Sequence, residues 1–192
     1  YGMQSFPDLK TVETFANKVD WDMESDVIKG HQKASLGNDN VIKYIEQYYS
    51  KPKDFESLIP LSQIMQADAI RTAVEAHRRS MPFCMGTLYW QLNDCWPGVS
   101  WSSIDYNGNW KALHYAARTF FNPLLVSITE KDNLINIYII NDQNHSFNAE
   151  LSVILYSFNG SVLMEQTKTI EVSSTCSTKE LKLSSDKLIG KH

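Results

Sequence analysis

The hydrophobic pattern of the chain changes its period at Asn122-Pro123, and this change constrains the fold more than any other feature. Before this point apolar residues recur at helical spacing, whereas after it short runs rich in β-branched residues dominate, and several alternate apolar with polar residues. A period near 3.6 predicts amphipathic helices, and a period of two predicts strands with one buried face. We therefore predict two domains of different class, residues 1–122 and residues 123–192.

The first domain is predicted to combine helices with a buried strand. Helical spacing begins at Asp8 and at Asn38, both predicted N-caps, and also covers residues 57–80 and 110–121. Residues 83–92 are instead almost continuously apolar, which is typical of a strand covered on both faces in a parallel sheet flanked by helices. This order of elements predicts an α/β architecture.

The second domain is predicted to be an antiparallel β-sandwich, so that the whole chain is α/β plus all-β. Its five candidate strands are separated by turn residues such as Asn159-Gly160, and they cover residues 124–128, 134–140, 147–158, 162–172 and 176–183. An Ig-type sandwich has about seven strands in about 100 residues, so this one stops early.

Composition excludes several classes of partner. The net charge is −4, and no Lys/Arg cluster is longer than Arg78-Arg79, so we expect no nucleic-acid partner. No apolar run approaches the roughly 18 to 20 residues of a membrane helix, so we expect no membrane partner. Three cysteines are too few and too odd in number for a disulfide framework, and their spacing indicates no metal site.

An aromatic-rich segment, residues 86–110, holds four of the five tryptophans, interleaved with amide and carboxylate side chains. An indole packs against the C–H face of a pyranose, while polar side chains bind the rim of hydroxyl groups. A tryptophan cluster beside a Pro-Gly turn is also a common form of core packing. Composition therefore leaves both a sugar site and a packing role open.

Three passages resemble glycoside hydrolase family 2, and its β-mannosidases in particular. They read YGMQSFP at residues 1–7, SQIMQADAIRTAVEAHRR at residues 62–79 and GTLYWQLNDCWPGVSWSSIDYNGNWKALHY at residues 86–115. The resemblance implies the C-terminal part of a (β/α)₈ TIM barrel at residues 1–122, followed by an Ig-like domain at residues 123–192. About 120 residues cannot close a barrel that needs roughly 200 to 250.

The same resemblance implies a retaining exo-β-glycosidase that removes terminal β-D-mannosyl residues. Its two catalytic glutamates are expected upstream, with the nucleophile immediately before Tyr1 and the acid/base residue earlier still. A retaining mechanism needs both carboxyl groups, so this chain alone is expected to be inactive. Two carboxyl groups suffice for the reaction, and no cofactor or metal is expected.

The resemblance also implies substrate-binding residues within the chain. Trp90 matches the tryptophan that forms the floor of the sugar subsite, and Asn93 and Asp94 follow it on the same loop. Asp94 has two alternatives, which are to cap the turn at Pro97-Gly98 or to pair with an arginine. Tyr1 and Gln4 are further candidates beside the expected nucleophile. Trp96 and Trp101 are interpreted as structural. His31 has two alternatives, since it lies in a loop that could approach the mouth of the barrel but such a residue more often binds backbone.

Two other functions stay open at this point. A β-galactosidase or β-glucuronidase relative would share the barrel and its chemistry, and a non-catalytic carbohydrate-binding module would also fit the aromatic-rich segment. In each case the partner is a carbohydrate. The family resemblance favours a secreted, periplasmic or lysosomal location, and self-association through a truncated barrel surface is expected because partial sheets expose apolar faces and strand edges.

Overall fold

The computed structural model describes residues 1–185 and divides the chain into two compact units. One unit comprises Tyr1–Val74 with Thr87–Phe120, and the other comprises Glu75–Gly86 with the chain from Phe121 onward. The helices are α1 (Leu9–Val12), α2 (Asp26–Gly30), α3 (Gly37–Tyr48), α4 (Phe55–Arg79) and α5 (Ala112–Phe120). None of the helices in the described residues is long and apolar enough to cross a membrane.

The predicted N-cap of α1 is confirmed, but the helix is shorter than its apolar spacing suggests. The Asp8 side chain accepts a hydrogen bond from the Lys10 N–H, as an N-cap does. The helix ends at Val12 instead of near residue 18 because the next turn tightens into i→i+3 bonds. There the Thr14 hydroxyl donates to the Thr11 carbonyl at 2.7 Å, a side-chain bond that competes with the helical ladder.

Residues 20–37, predicted to be mostly loop, contain the short helix α2. Ser25 caps it by accepting from the Ile28 N–H at 3.2 Å, and Ile28 is fully buried. A five-residue helix that buries one residue produces no periodic pattern, so the hydrophobic spacing could not reveal it.

The predicted N-cap of α3 is wrong. Leu36 occupies the cap position, and Asn38 lies in the first turn of the helix. The Asn38 side chain instead donates to the Met23 carbonyl at 3.1 Å and accepts from the Gln32 amide at 2.9 Å. Tertiary hydrogen bonds have therefore replaced the local bond on which the prediction relied.

Helix α4 confirms the longest helical prediction. Asp54 and Ser57 form reciprocal bonds at its start, with the Ser57 N–H 2.7 Å from Asp54 Oδ1 and the Asp54 N–H 3.1 Å from Ser57 Oγ. Its apolar face contributes to two hydrophobic clusters of the first unit, through Leu58 and Met65 in one and Ile70 and Val74 in the other. Residues 112–120, also predicted as helix, are α5.

The predicted buried strand at residues 83–92 is wrong. The segment forms no regular strand, and the Phe83 and Leu88 side chains are 96% and 87% exposed. A strand needs at least one neighbouring strand to accept its backbone hydrogen bonds, and a doubly covered one also needs elements packed on both faces. Outside the β-strands of the second unit, residues 1–185 supply only isolated bridges, so nothing converts the apolar run into a sheet. The described chain therefore combines helices with antiparallel sheet.

The second unit confirms all five predicted strands, with ends that agree within three residues. They are β1 (Leu124–Lys131), β2 (Leu134–Asn141), β3 (Phe147–Tyr156), β4 (Val162–Val172) and β5 (Cys176–Ser184). They form two antiparallel sheets with the orders β1-β2-β5 and β3-β4. Ile137 and Ile139 of β2 share one buried cluster with Leu151 of β3 and Ile170 of β4, so the two sheets enclose a common core.

The last turn of α4 groups with this second unit through a partly buried polar network. Arg79 Nη1 donates to Ser127 Oγ at 2.6 Å, and the buried Ser127 hydroxyl donates in turn to Glu75. Arg78 Nη2 donates to the Asn122 carbonyl at 2.8 Å and to Asp142 Oδ2 at 2.9 Å. Charged hydrogen bonds at buried positions are stronger than those at the surface, so this network anchors the helix end within the second unit.

Candidate functional site

Trp90 lies beside the amino-terminal segment and presents an accessible indole. Its backbone N–H donates to the Tyr1 carbonyl at 2.8 Å, and the Tyr1 hydroxyl is 2.6 Å from Thr87 Oγ1. A Cβ on Gly2 would lie 2.4 Å from the Trp90 carbonyl oxygen, so the absence of a side chain there permits the close approach. Trp90 is 62% exposed, and the Trp90–Gln91 peptide bond is cis.

The Asp94 carboxylate holds together the loop that follows Trp90. Its Oδ2 accepts from the hydroxyls of Ser100 at 2.8 Å and Ser102 at 2.6 Å, and its Oδ1 accepts from Gln91 Nε2 at 3.2 Å. None of the ion pairs recorded within residues 1–185 involves Asp94. The carboxylate therefore links Gln91 to Ser100 and Ser102 across the loop, a role that differs from the turn cap and the arginine pair considered from the sequence.

The other two predicted residues differ in accessibility. Asn93 is exposed, and its backbone forms a single bridge with Ile104. Gln4 is buried, and its amide nitrogen donates to Gln32 Oε1 at 2.8 Å and to the Val99 carbonyl at 3.4 Å. The structure therefore brings Tyr1 and Trp90 together, places Asn93 and Asp94 on the following loop, and encloses Gln4 in packing.

A buried aspartate and a buried lysine hold the chain on either side of this loop through hydrogen bonds. Asp105 Oδ2 accepts from Thr11 Oγ1 at 2.6 Å and from the Asp8 N–H at 3.2 Å, while its Oδ1 accepts from two backbone N–H groups of the turn at residues 107–109. Lys111 is fully buried, and its Nζ lies 3.4 Å from the Ser5 carbonyl oxygen and 3.3 Å from that of Ser100.

Burial lowers the pKa of Lys111 to about 7, and the negative charges of Asp94 and Asp105 oppose this shift. Lys111 was not predicted as a site residue from the sequence. A single lysine between an Asn-Gly turn and a helix is expected to lie at the surface, because lysines are almost never fully buried. No sequence signal in a single chain distinguishes this one.

His31 and Trp96 form an aromatic stack at the other end of the loop. The His31 ring lies between Phe15 and Trp96, with ring centroids 3.9 Å and 5.0 Å away. Its Nδ1 is 2.6 Å from the Pro97 carbonyl oxygen. The His31 contact with the Pro97 carbonyl favours the backbone-binding alternative for that residue, and the stack agrees with the structural role expected for Trp96.

An exposed indole beside amide, hydroxyl and carboxylate groups can bind a polar ring that has one apolar face, as a sugar has. Within the described residues there is no group of three or more His, Cys, Asp or Glu side chains that could hold a metal ion. Cys84, Cys95 and Cys176 are free thiols, as the sequence predicted.

Comparison with solved structures defines the class of protein. The fold is similar to that of a β-D-mannosidase from Dictyoglomus thermophilum, with a TM-score of 0.90 and 30% identity over 96% of this chain and 23% of that one. It is also similar in fold to the exo-chitosanase CsxA from Amycolatopsis orientalis, with a TM-score of 0.75 at 19% identity over 94% of this chain and 22% of that one. The architecture is thus that of a section of a glycosidase.

Sequence comparison narrows the class further. The chain is 36% identical to a β-mannosidase from Capra hircus over 172 residues, which are 83% of this chain and 20% of that protein. It is 35% identical to β-mannosidase B from Aspergillus niger over 132 residues, which are 67% of this chain and 16% of that protein. The Mannosidase Ig/CBM-like domain family matches residues 133–192. The chain is a β-mannosidase-like section of glycoside hydrolase family 2, and it spans about a fifth of the length of these curated relatives.

Proposed function

We propose that the complete protein is a retaining exo-β-glycosidase that hydrolyses terminal β-D-mannosyl residues of glycans or oligosaccharides. The observation that carries this proposal is the exposed Trp90 indole next to Tyr1, in a section whose relatives are named β-mannosidases. An indole at this position excludes water from one sugar face and strengthens the polar contacts around the ring. The chemistry needs two carboxyl groups and no cofactor.

In this proposal the chain supplies part of the sugar subsite. Trp90 forms its apolar floor, the exposed Asn93 binds a sugar hydroxyl, and Tyr1 lines the edge. Asp94 and Gln4 act through the loop, because the Asp94 carboxylate oxygens and the Gln4 amide nitrogen already have protein partners. Both catalytic glutamates are assigned to the part of the complete protein that this chain does not span, with the nucleophile immediately before Tyr1, so the chain alone is expected to be inactive.

The finer architecture belongs to the same proposal. Residues 1–122 are assigned to the C-terminal part of a (β/α)₈ TIM barrel, and residues 123–192 to an Ig-like domain. The structural similarity to the Dictyoglomus thermophilum enzyme over 96% of this chain supports the first assignment, and the family match to residues 133–192 supports the second.

The test is hydrolysis of chromogenic β-mannoside, β-galactoside and β-glucoside by the complete protein. We expect activity on the mannoside in preference to the other two. Trp90→Ala is expected to lower kcat/KM on the mannoside by about tenfold or more, since an aromatic contact contributes about 1.5 kcal/mol. Trp96→Phe, which keeps an aromatic ring in the His31 stack, is the matched control and should retain activity.

The results separate the alternatives. A preference for the galactoside would indicate that the protein is a β-galactosidase-type relative. No hydrolysis by a folded complete protein that still binds mannose would favour a non-catalytic carbohydrate-binding module. If Trp90→Ala keeps wild-type activity, the Trp90 indole does not contribute to the substrate site.

A further inference from the structure

Lys111 joins two paired backbone segments, one around Ser5 and one around Ser100 in the aromatic-rich segment. Its Nζ donates to the carbonyls of Ser5 and Ser100. The same two residues are paired directly, with the Ser5 N–H 2.9 Å from the Ser100 oxygen and the Ser100 N–H 3.2 Å from the Ser5 oxygen. Each carbonyl therefore accepts from a backbone N–H and also from the lysine, so the side chain closes the junction from its buried side.

The charges around Lys111 do not form a direct ion pair with it. Asp94 on the loop and Asp105 on the turn before α5 are the acidic groups that act on the ammonium. Each carboxylate already accepts hydrogen bonds from other donors: Asp94 from hydroxyl and amide groups of its own loop, and Asp105 from the Thr11 hydroxyl and from backbone N–H groups of the turn that follows it. Lys111 also directly precedes α5, where the helix dipole disfavours a cation. Burying a charged ammonium group costs free energy. The hydrogen bonds that Lys111 forms in its buried position are those to the carbonyls of Ser5 and Ser100.

The junction is linked to Trp90 along both of its segments. On one side the Ser100 hydroxyl holds Asp94, whose other oxygen accepts from Gln91, the residue after Trp90. On the other side Ser5 continues back to Tyr1, whose carbonyl accepts from the Trp90 N–H. A displacement of either segment therefore moves the backbone that carries the indole.

We propose that Lys111 is a positioning residue for the sugar-binding face of Trp90, because its buried Nζ fixes the segment around Ser5 to the segment around Ser100. The effect on sugar binding rests on the proposed function, whereas the effect on backbone order does not. Lys111→Met keeps the length and the apolar stem but removes the donor, so both carbonyls lose one partner. The loss is local to the two carbonyls, because methionine still fills the buried position that the lysine stem occupies.

The first measurement is amide hydrogen exchange of the chain, which needs no catalysis. In Lys111→Met we expect exchange at the amides of Ser5, Trp90 and Ser100 to be at least about tenfold faster, with α3 and α4 unchanged. Lys111→Gln, which keeps a shorter donor, should give an intermediate result. Lys10→Met at an exposed lysine is the matched control and should change nothing. Uniformly faster exchange throughout the unit, or no change in either variant, would overturn the positioning role.

The second measurement is steady-state hydrolysis of a chromogenic β-mannoside by the complete protein at pH 5.5, where the lysine is charged. Lys111→Met is expected to raise KM about tenfold with a smaller change in kcat, since the floor of a subsite contributes to binding the substrate in both ground and transition states. A purely structural loss would lower kcat per mole of protein and leave KM unchanged, which would contradict the proposal. If the wild-type protein hydrolyses no mannoside, the proposed function fails while the exchange data still decide the positioning role.

Discussion

The buried Lys111 makes the stability of the fold depend on pH. Its pKa is about 7 in the folded chain and 10.5 for an ordinary lysine, so between these values the unfolded chain binds a proton that the folded chain has released. The free energy of unfolding therefore rises with pH across this window, and below pH 7 the full cost of the buried charge is present. We expect urea midpoints to increase from pH 7 to pH 9, with a slope of up to about 1.4 kcal/mol per pH unit.

Lys111→Met isolates this contribution from those of other titrating groups. The variant should lose the upward slope between pH 7 and pH 9, because methionine has no group that titrates in this range. Parallel stability curves for the two proteins from pH 6 to pH 9 would show that Lys111 keeps its ordinary pKa.

A second residue-scale prediction concerns Gly98, which is buried where the loop meets α2. A Cβ at this position would lie 2.3 Å from the His31 carbonyl oxygen, a backbone atom that cannot rotate away. Gly98→Ala should therefore lower the free energy of unfolding by about 1 to 3 kcal/mol, measured by urea denaturation. Gly30→Ala is the control, because no atom lies within 4 Å of a Cβ built there. Equal stability of the two variants would contradict the close contact.

At the scale of elements, the β1–β2 hairpin depends on two residues with positive φ. Asp132 and Asn133 have φ of 54° and 58°, and they connect the paired residues Lys131 and Leu134. Two consecutive left-handed residues define a type I′ turn, which glycine and asparagine tolerate and β-branched residues do not. Asn133→Gly should retain or raise stability, whereas Asn133→Val should lower it by about 1 to 2 kcal/mol.

Thermal unfolding of these variants measures the effect, with Glu130→Val as the control because that substitution places the same side chain at an exposed strand position. A destabilisation by Glu130→Val as large as that of Asn133→Val would assign the effect to the valine side chain and not to the turn.

The elements predicted from the sequence are those whose stability is decided locally. The strands β1–β5 are short runs rich in β-branched residues between turn signals, and several alternate apolar with polar residues. Helix α4 carries a long apolar stripe with a reciprocal cap, so the local pattern and the fold agree. Residues 83–92 have an equally clear apolar pattern, yet a strand also needs partners that the pattern does not contain. The apolar pattern of residues 83–92 indicates that other residues should pack against them, but it does not indicate which residues those are.

The candidate site was predictable to a similar degree. Trp90 and the polar residues after it were found because their composition suits a sugar, and the family resemblance selected among them. The hydrogen bonds that hold Asp94 and Gln4 could not be predicted, because their partners lie elsewhere in the sequence or depend on the shape of the loop. Lys111 was missed for the same reason, since its acceptors are backbone carbonyls that carry no sequence signal.

At the scale of the whole molecule, exposed apolar side chains determine how the isolated chain behaves in solution. Phe83 and Leu88 are 96% and 87% exposed, and Met85 lies between them at 62%. Apolar side chains exposed so close together in sequence are uncommon on a monomer and favour association, because burying each one removes apolar surface from water. We therefore predict that the purified chain self-associates, in agreement with the expectation from its sequence.

Sedimentation velocity over a range of protein concentrations tests this prediction. The wild-type chain should show a sedimentation coefficient that increases with concentration, and the double substitution Phe83→Ser, Leu88→Ser should shift the chain toward the monomer. Phe158→Ser is the matched control: Phe158 is also fully exposed, but it lies at the turn between β3 and β4, away in sequence from residues 83–92, and its removal should leave the association intact. If Phe158→Ser dissociates the chain and the double substitution does not, the association surface includes the turn between β3 and β4 and not residues 83–88. A monomer at every concentration would mean that the exposed side chains of residues 83–88 stay in contact with solvent.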